Sequence, residues 1–241
     1  MSPARGVGAV DHVTLFGHWI CPSSVRVSFA LAERGITHDL VDVPPTAARP
    51  PGYVVPPEFV EHSPRGEIPL VRIGSEYRAD SLPILEWLEE RIDGRSLLPS
   101  DPGERTRVFD AMAWIDARVF PPMIGVYYGT HAERIAASAA DLADALVALG
   151  DRLGDGRWLV GEGPTLAEAT VEPLYVRLDG LVRLGFDRPL DPRVAAHRAR
   201  VAQLDGGRAV AWSTAQTDEF VGRCEAFRAR RRASEGMPSG G

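Results

Sequence analysis

The sequence predicts a chain of two parts, a small mixed α/β unit followed by an all-helical bundle. Three observations predict it. Strand-type and helix-type apolar patterns alternate up to about residue 93. Beyond residue 103, apolar residues recur only at helical spacing. Between them, Gly94 to Gly103 carries Leu97-Leu98-Pro99 and Asp101-Pro102, the composition of a linker.

In the first part, His12-Val13-Thr14-Leu15-Phe16 is a short β-type run. A helix follows over Pro22 to Arg34, with Val25, Phe29 and Leu31-Ala32 on its buried side and Gly35 just past its end. Thr37 to Val43 reads as a second strand, leading into a proline-rich loop from Pro44 to Pro57. Leu70–Ile73 and Glu76–Arg78 flank Gly74-Ser75, a hairpin signal. Leu82 to Ile92 is helical, with Ile84, Leu85, Leu88 and Ile92 on one face. The order β-α-β, then a loop or short helix, then β-β-α, makes a small mixed sheet with helices packed on it.

In the second part Val108, Met112, Ile115 and Val119 share one helical face, and Ile135, Leu142, Leu146, Leu149 and Leu153 another. Thr165 with Glu168 three residues later is a capping box that opens a further helix. Val194, Val201 and Leu204 mark one more, and Phe220, Cys224 and Phe227 the last, with Cys224 read as core packing. From about Arg228 the sequence reads as a frayed helix end and a disordered tail, residues 229–241. The division expected is therefore 11–93, a linker at 94–103, and 104–228.

Bulk properties exclude several classes. The 241 residues are 44% hydrophobic and 25% charged, a globular composition. A net charge of −6 argues against nucleic acid, which needs a basic face. No apolar stretch approaches the ~20 residues of a membrane span, and Met1 to Val10 lacks the apolar core of a signal peptide. Two cysteines, Cys21 and Cys224, make no disulfide scaffold, which favours free thiols and the cytosol. All 27 basic residues are arginine, a bias that reads as codon usage of a GC-rich genome. The six histidines show no metal-ligand spacing, and no Ser–His–Asp arrangement can be assembled.

Three local features could carry chemistry. Cys21-Pro22-Ser23-Ser24 lies between the first strand and first helix, and proline suits the first helical position. Cys21 would then be the N-cap, with free N–H groups and the positive dipole end favouring a thiolate. The alternative is a small buried residue. Ser23 and Ser24 are the fallback hydroxyls, and with serine at position 24 a Cys-x-x-Cys dithiol mechanism is not available. Ile68-Pro69 enters the third strand, where Pro69 reads equally as an edge residue or a cis proline. Asp80-Ser81 opens the next helix, either as a plain cap or as a carboxylate-binding end.

Together these marks resemble the glutathione S-transferase superfamily: Cys or Ser at the first helix, Ile/Val-Pro before the third strand, Glu/Asp-Ser at the third helix. Supporting phrases are Arg26-Val27 with Ala30-Leu31-Ala32-Glu33-Arg34-Gly35-Ile36, Ser63-Pro64-Arg65-Gly66-Glu67-Ile68-Pro69, Ile84-Leu85-Glu86-Trp87-Leu88 and Gly163-Pro164-Thr165-Leu166-Ala167-Glu168-Ala169. The resemblance covers about residues 11 to 228. It implies an α/β thioredoxin-like N-terminal domain plus an all-α helical-bundle C-terminal domain. Cys21 matches the nucleophile of omega-like and the active serine of zeta-like members. Ile68, held by cis-Pro69, would pair with the cysteinyl part of glutathione, and Asp80 and Ser81 would bind its γ-glutamyl end. The acceptor, a small-molecule electrophile, would lie against a helix carrying Trp114, Arg118, Phe120, Met123, Tyr127 and Tyr128, aromatics that read equally as core or dimer packing.

Departures from the pattern are Asp80 for glutamate, Glu168 for aspartate, Ser63 for asparagine, and the proline-rich loop. The Asp80 change leaves glutathione or another low-molecular-weight thiol as the cofactor. The implied protein is a cytosolic homodimeric transferase, working by conjugation, thiol transfer through a mixed disulfide, or addition–elimination. The alternatives are a thiol-dependent double-bond isomerase or natural-product tailoring enzyme on the same fold, and a non-catalytic dimeric binding protein.

Overall fold

The computed structural model describes residues 12–235, with the side chains of 12–234. Four strands form one sheet in the order β2-β1-β3-β4: β1 (Val13–Gly17), β2 (His38–Asp42), β3 (Leu70–Ile73) and β4 (Glu76–Ala79). β1 and β2 run parallel, with Val13 opposite His38, and are joined by α1 (Pro22–Glu33). β3 lies antiparallel to β1, and β4 closes a hairpin on β3 with Ile73 opposite Glu76. The two-residue connection is Gly74-Ser75, and Gly74 takes φ +59°, a conformation glycine adopts without steric cost. Central β1 is buried throughout, whereas edge strands β2 and β4 are largely exposed.

Helix α1 ends where Gly35 turns left-handed at φ +70°, with Gly35 N–H bonded to Ala32 O and Ile36 N–H to Leu31 O. It buries two faces. Val27 and Leu31 pack with Val13, Leu15, Val71 and α3 (Ser81–Arg91) on the sheet. Val25, Phe29 and Ala30 belong to the large core of the helical part. Under the opposite sheet face lies Phe59 of the short α2 (Pro57–His62), against Phe16 and Leu70. The stretch 44–56 contains one 3₁₀ turn, Thr46–Ala48.

The remainder is helical: α4 (Pro102–Arg118), α5 (Phe120–Tyr128), α6 (Ala132–Leu153), α7 (Leu166–Arg183), α8 (Pro192–Val201), α9 (Asp205–Val210) and α10 (Thr214–Glu235). Helix α7 is buried on nearly every face, as a central bundle helix must be. No helix among the described residues is long and apolar enough to cross a membrane.

Three expectations need correction. The segment carrying Trp114 to Tyr128 is two helices: Pro121 and Pro122 have no N–H for the carbonyls of Ala117 and Arg118, so α4 stops at Arg118 and α5 starts anew. Leu204 does not extend α8, which ends at Val201; Leu204 precedes α9. The chain does not become a disordered tail at residue 229, because α10 continues through Glu235. Buried Arg228 anchors it, donating to Leu184 O at 3.0 Å and to Val126 O. Residues 236–241, like the N-terminal residues 1–11, lie outside the described residues.

Candidate active site

Cys21 is the N-cap residue of α1, with extended φ −78° and ψ 121° and Pro22 in the first turn. Its carbonyl accepts the first helical bond from Val25 N–H at 3.0 Å, and its own N–H donates to His18 O at 3.0 Å. That turn is locked by His18, whose Nδ1 accepts Ile20 N–H at 3.1 Å. Burial lowers the His18 pKa, with Asp42 pulling the other way, so the ring is held in the neutral form this acceptor role requires. The Cys21 thiol lies 3.8 Å from Ile68 O as its donor. The Ile68–Pro69 peptide is cis, and Ile68 N–H finds no backbone partner among the described residues.

Two concavities lie on either side of the Cys21–Ile68 contact. One is an open groove lined by Ser23, Ile68, Pro69, Asp80 and Ser81, together with Arg65 and Asp116. Asp80 has φ +68° and ψ 127°, the single non-glycine residue with left-handed φ among those described. Such a conformation persists only where the surroundings fix it. Arg65 does so, pairing with Asp80 and with Glu67 at 3.0 Å. Asp80 occupies the N-cap position of α3, yet its side chain caps nothing. The plain-cap reading is therefore withdrawn. Ser81 is buried, and its Oγ accepts from Arg26 at 3.2 Å.

The second concavity is a cavity of about 470 Å³ between the 44–50 loop, α5 and α10, and Cys21 lines it together with Tyr127, Tyr128, Phe220, Cys224 and Phe227. Burial raises the Tyr127 pKa, so it remains a phenol. Cys224 lines this cavity as well as packing in the core, and burial pushes its thiol up to about 12, which keeps it protonated.

Not every expected residue arrives here. The Ser24 hydroxyl is buried against Gly17, 3.1 Å from where a Cβ would stand there, and has no partner. Trp114 lines a different pocket under Arg152, whose guanidinium carbon is 4.4 Å from its ring centroid. Arg118 is exposed at the end of α4 and lines neither concavity. The helix break at Val119 separates these two residues from Tyr127 and Tyr128.

Two arginines were missed. Arg26 is 2% exposed, lies 2.8 Å from Asp116, and packs 3.7 Å above the Phe120 ring, so it ties Ser81 of the groove to α4 and α5. Arg177 of α7 is fully buried; it donates to Pro173 O at 2.8 Å and to Ile20 O at 2.5 Å, directly before Cys21. Burial lowers its pKa, opposed by the nearby Tyr127 and Cys21. Its guanidinium thus stands directly behind the N-terminus of α1 that carries Cys21. Arg26 stands in the first-helix phrase that carries the family resemblance, but nothing local marks its role, and Arg177 has no local signal; both act through partners on other elements. Among the described residues no cluster of His, Cys, Asp or Glu is placed to hold a metal ion.

A four-stranded sheet of this topology, with a cysteine heading its first helix, a cis proline facing it and a helical bundle behind, defines a thioredoxin-like thiol-handling protein with an added helical domain. The comparisons make the assignment specific. Residues 20–91 match the family model for the N-terminal domain of glutathione S-transferases. A maleylacetoacetate isomerase of Pseudomonas aeruginosa is 28% identical over 198 residues, 79% of this chain and 89% of that protein. A glutathione S-transferase of Arabidopsis thaliana is 29% identical over 156 residues, 64% of this chain and 67% of that protein. In fold, a rice glutathione S-transferase solved with glutathione superimposes with a TM-score of 0.80 at 17% identity, over 92% of this chain and 99% of that one. Residues 20–91 thus match the N-terminal domain of the glutathione S-transferase family, and most of the chain is similar to proteins of that superfamily in sequence and fold.

Proposed function

We propose that the protein is a glutathione-dependent enzyme acting on a small electrophile, by conjugation, thiol transfer or addition–elimination. One observation carries this reading: Cys21 heads α1 in the wall of an apolar cavity, with its sulfur beside the carbonyl of Ile68, which lines a charged groove. The groove suits a zwitterionic tripeptide. It offers Glu67, Asp80 and Asp116 to an ammonium, Arg65 to carboxylates, and the unpaired Ile68 N–H to an extended main chain. When bound, glutathione supplies the thiol nucleophile. Arg177 and the free N–H groups of α1 favour negative charge at sulfur, and Tyr127 offers a phenolic donor at the cavity wall. The neutral thiol of Cys224 takes no nucleophilic part.

A second reading, a thiol-dependent double-bond isomerase, is supported by the relative named maleylacetoacetate isomerase, which matches over 79% of this chain. The assembly expected from the resemblance is a homodimer in the cytosol.

The test is calorimetric titration of glutathione into the reduced protein. Saturable binding is expected, weakened at least tenfold in Asp80→Asn, which keeps the side-chain shape. Absence of binding to the wild-type protein would sink the assignment. With binding secured, Cys21→Ser separates the chemistries: exchange with a disulfide needs sulfur at position 21 and should collapse, whereas thiolate stabilisation survives in part.

A further inference from the structure

The cavity beside Cys21 is apolar in its body and cationic in its charge. The rings of Tyr127, Tyr128, Phe220 and Phe227 line it, as do three arginines, Arg49, Arg223 and Arg230, but no aspartate or glutamate does. This is a local excess of positive charge in a chain of net charge −6. The three arginines are not equivalent. Arg223 is engaged, paired with Glu219 at 2.7 Å and donating to Ala48 O at 3.2 Å. Arg49 gives only its Nε–H to Pro44 O, at 3.1 Å, and has no carboxylate partner among the described residues. Arg230 has neither a hydrogen bond nor an ion pair among them. Two guanidinium forks therefore border an aromatic cavity with no counter-ion, the arrangement that receives a carboxylate in two parallel hydrogen bonds.

We propose that the acceptor is an anionic electrophile with a flat apolar body, its carboxylate taken by Arg49 and Arg230, its body against the aromatic walls, and its reacting carbon toward Cys21. The proposal rests on the reading of this cavity as the acceptor site. It makes Arg49 and Arg230 specificity-determining residues supplied by two separate elements, the 44–56 loop and α10. Arg223, by fastening α10 to Ala48, holds those two elements together at the mouth.

The experiment compares two unreactive probes of the same shape, biphenyl-4-ylacetate and biphenyl-4-ylacetamide, by calorimetry on the full-length protein. The acid should bind about tenfold more tightly than the amide at low salt, and the ratio should shrink as salt is raised. In the Arg49→Gln/Arg230→Gln double variant the ratio should fall to within about twofold. Equal binding of acid and amide, binding of neither, or a preference that survives the double substitution would each overturn the proposal. A glutathione titration of the same preparation keeps the two readings apart. Glutathione binding without acid preference refutes the acceptor class alone; acid preference without glutathione binding refutes the thiol reading and leaves the anion site standing.

Discussion

At the scale of single residues, the structure assigns ionisable groups by burial. Arg26 and Arg177 are charges withdrawn from water, which is costly unless they are bonded. Arg177 satisfies part of that demand on the Ile20 carbonyl before Cys21 and Arg26 on the Ser81 hydroxyl, so their cost is incurred at the site itself. Glu172 on α7 is different. It is 3% exposed, its Oε2 has no partner, and burial raises its carboxyl from 4.5 to about 8, with Arg198 and Arg177 opposing. The folded state therefore holds a proton that the unfolded chain releases at lower pH. Its contribution is full below about pH 4.5 and is lost as pH rises through about 8. Glu172→Gln removes this titration, so the variant's Tm should gain on wild type from about pH 5 to pH 8 and level off above it. A Tm difference that stays flat over that range would show that Glu172 is already ionised in the fold.

At the scale of elements, the start of α7 shows how a cap becomes a tertiary anchor. Thr165 Oγ1 accepts Ala167 N–H at 3.2 Å, and the Glu168 carboxylate accepts Thr165 N–H at 2.7 Å. The reach of glutamate does more. Its other oxygen accepts Leu159 N–H at 2.8 Å and lies 3.2 Å from His197 of α8, which in turn meets Tyr175 at 2.8 Å. On sequence alone, glutamate in place of aspartate looks immaterial; in the fold the extra methylene spans from the cap to α8. Glu168→Asp should leave the cap and lose at least one of the outer contacts, exposing a buried donor at about 1–3 kcal/mol. Thermal unfolding should fall by a few degrees at this chain length. An unchanged Tm would mean that aspartate reaches every partner.

At the scale of the whole molecule, α1 is a wedge shared by both parts. One face completes the sheet core and the other enters the helical core. Its ends are fastened too: Arg177 reaches Ile20 O before the helix, and Glu33 near its end accepts Gly206 N–H at 2.9 Å. Gly206 is required there because a Cβ would stand 2.7 Å from Phe29 O and 2.8 Å from the Phe29 ring. Gly206→Ala should therefore cost about 1–3 kcal/mol through forced separation of α9 from α1. Calorimetry should show a single transition moved to lower temperature, since the shared helix makes the two parts one cooperative unit. Two transitions, or an unmoved one, would show that the parts unfold independently.

Much of this protein is legible in its sequence because the deciding physics is local. Proline after Cys21 places that residue at a helix start, Gly35 ends the helix, Gly74-Ser75 closes the hairpin, and Thr165 with Glu168 opens α7; each works within a few residues of backbone. The marks around Ile68-Pro69 and Asp80-Ser81 are legible for the same reason, as chain entering a strand or a helix. What only the tertiary structure decided is which side chains share a space. Trp114 and Tyr127 look alike as helical aromatics, but the break at Val119 sends them to different pockets. Cys224 has core spacing, yet the packing of α10 on α5 sets it in the wall beside Cys21. The roles of Arg26 and Arg177 carry no local signal, because a buried charge is tolerated only where distant elements supply its partners. Helical and strand periodicity fix the face a residue presents, whereas the partner across that face depends on chain closure over distances such as the 55 residues from Arg26 to Ser81 and the 157 from Ile20 to Arg177.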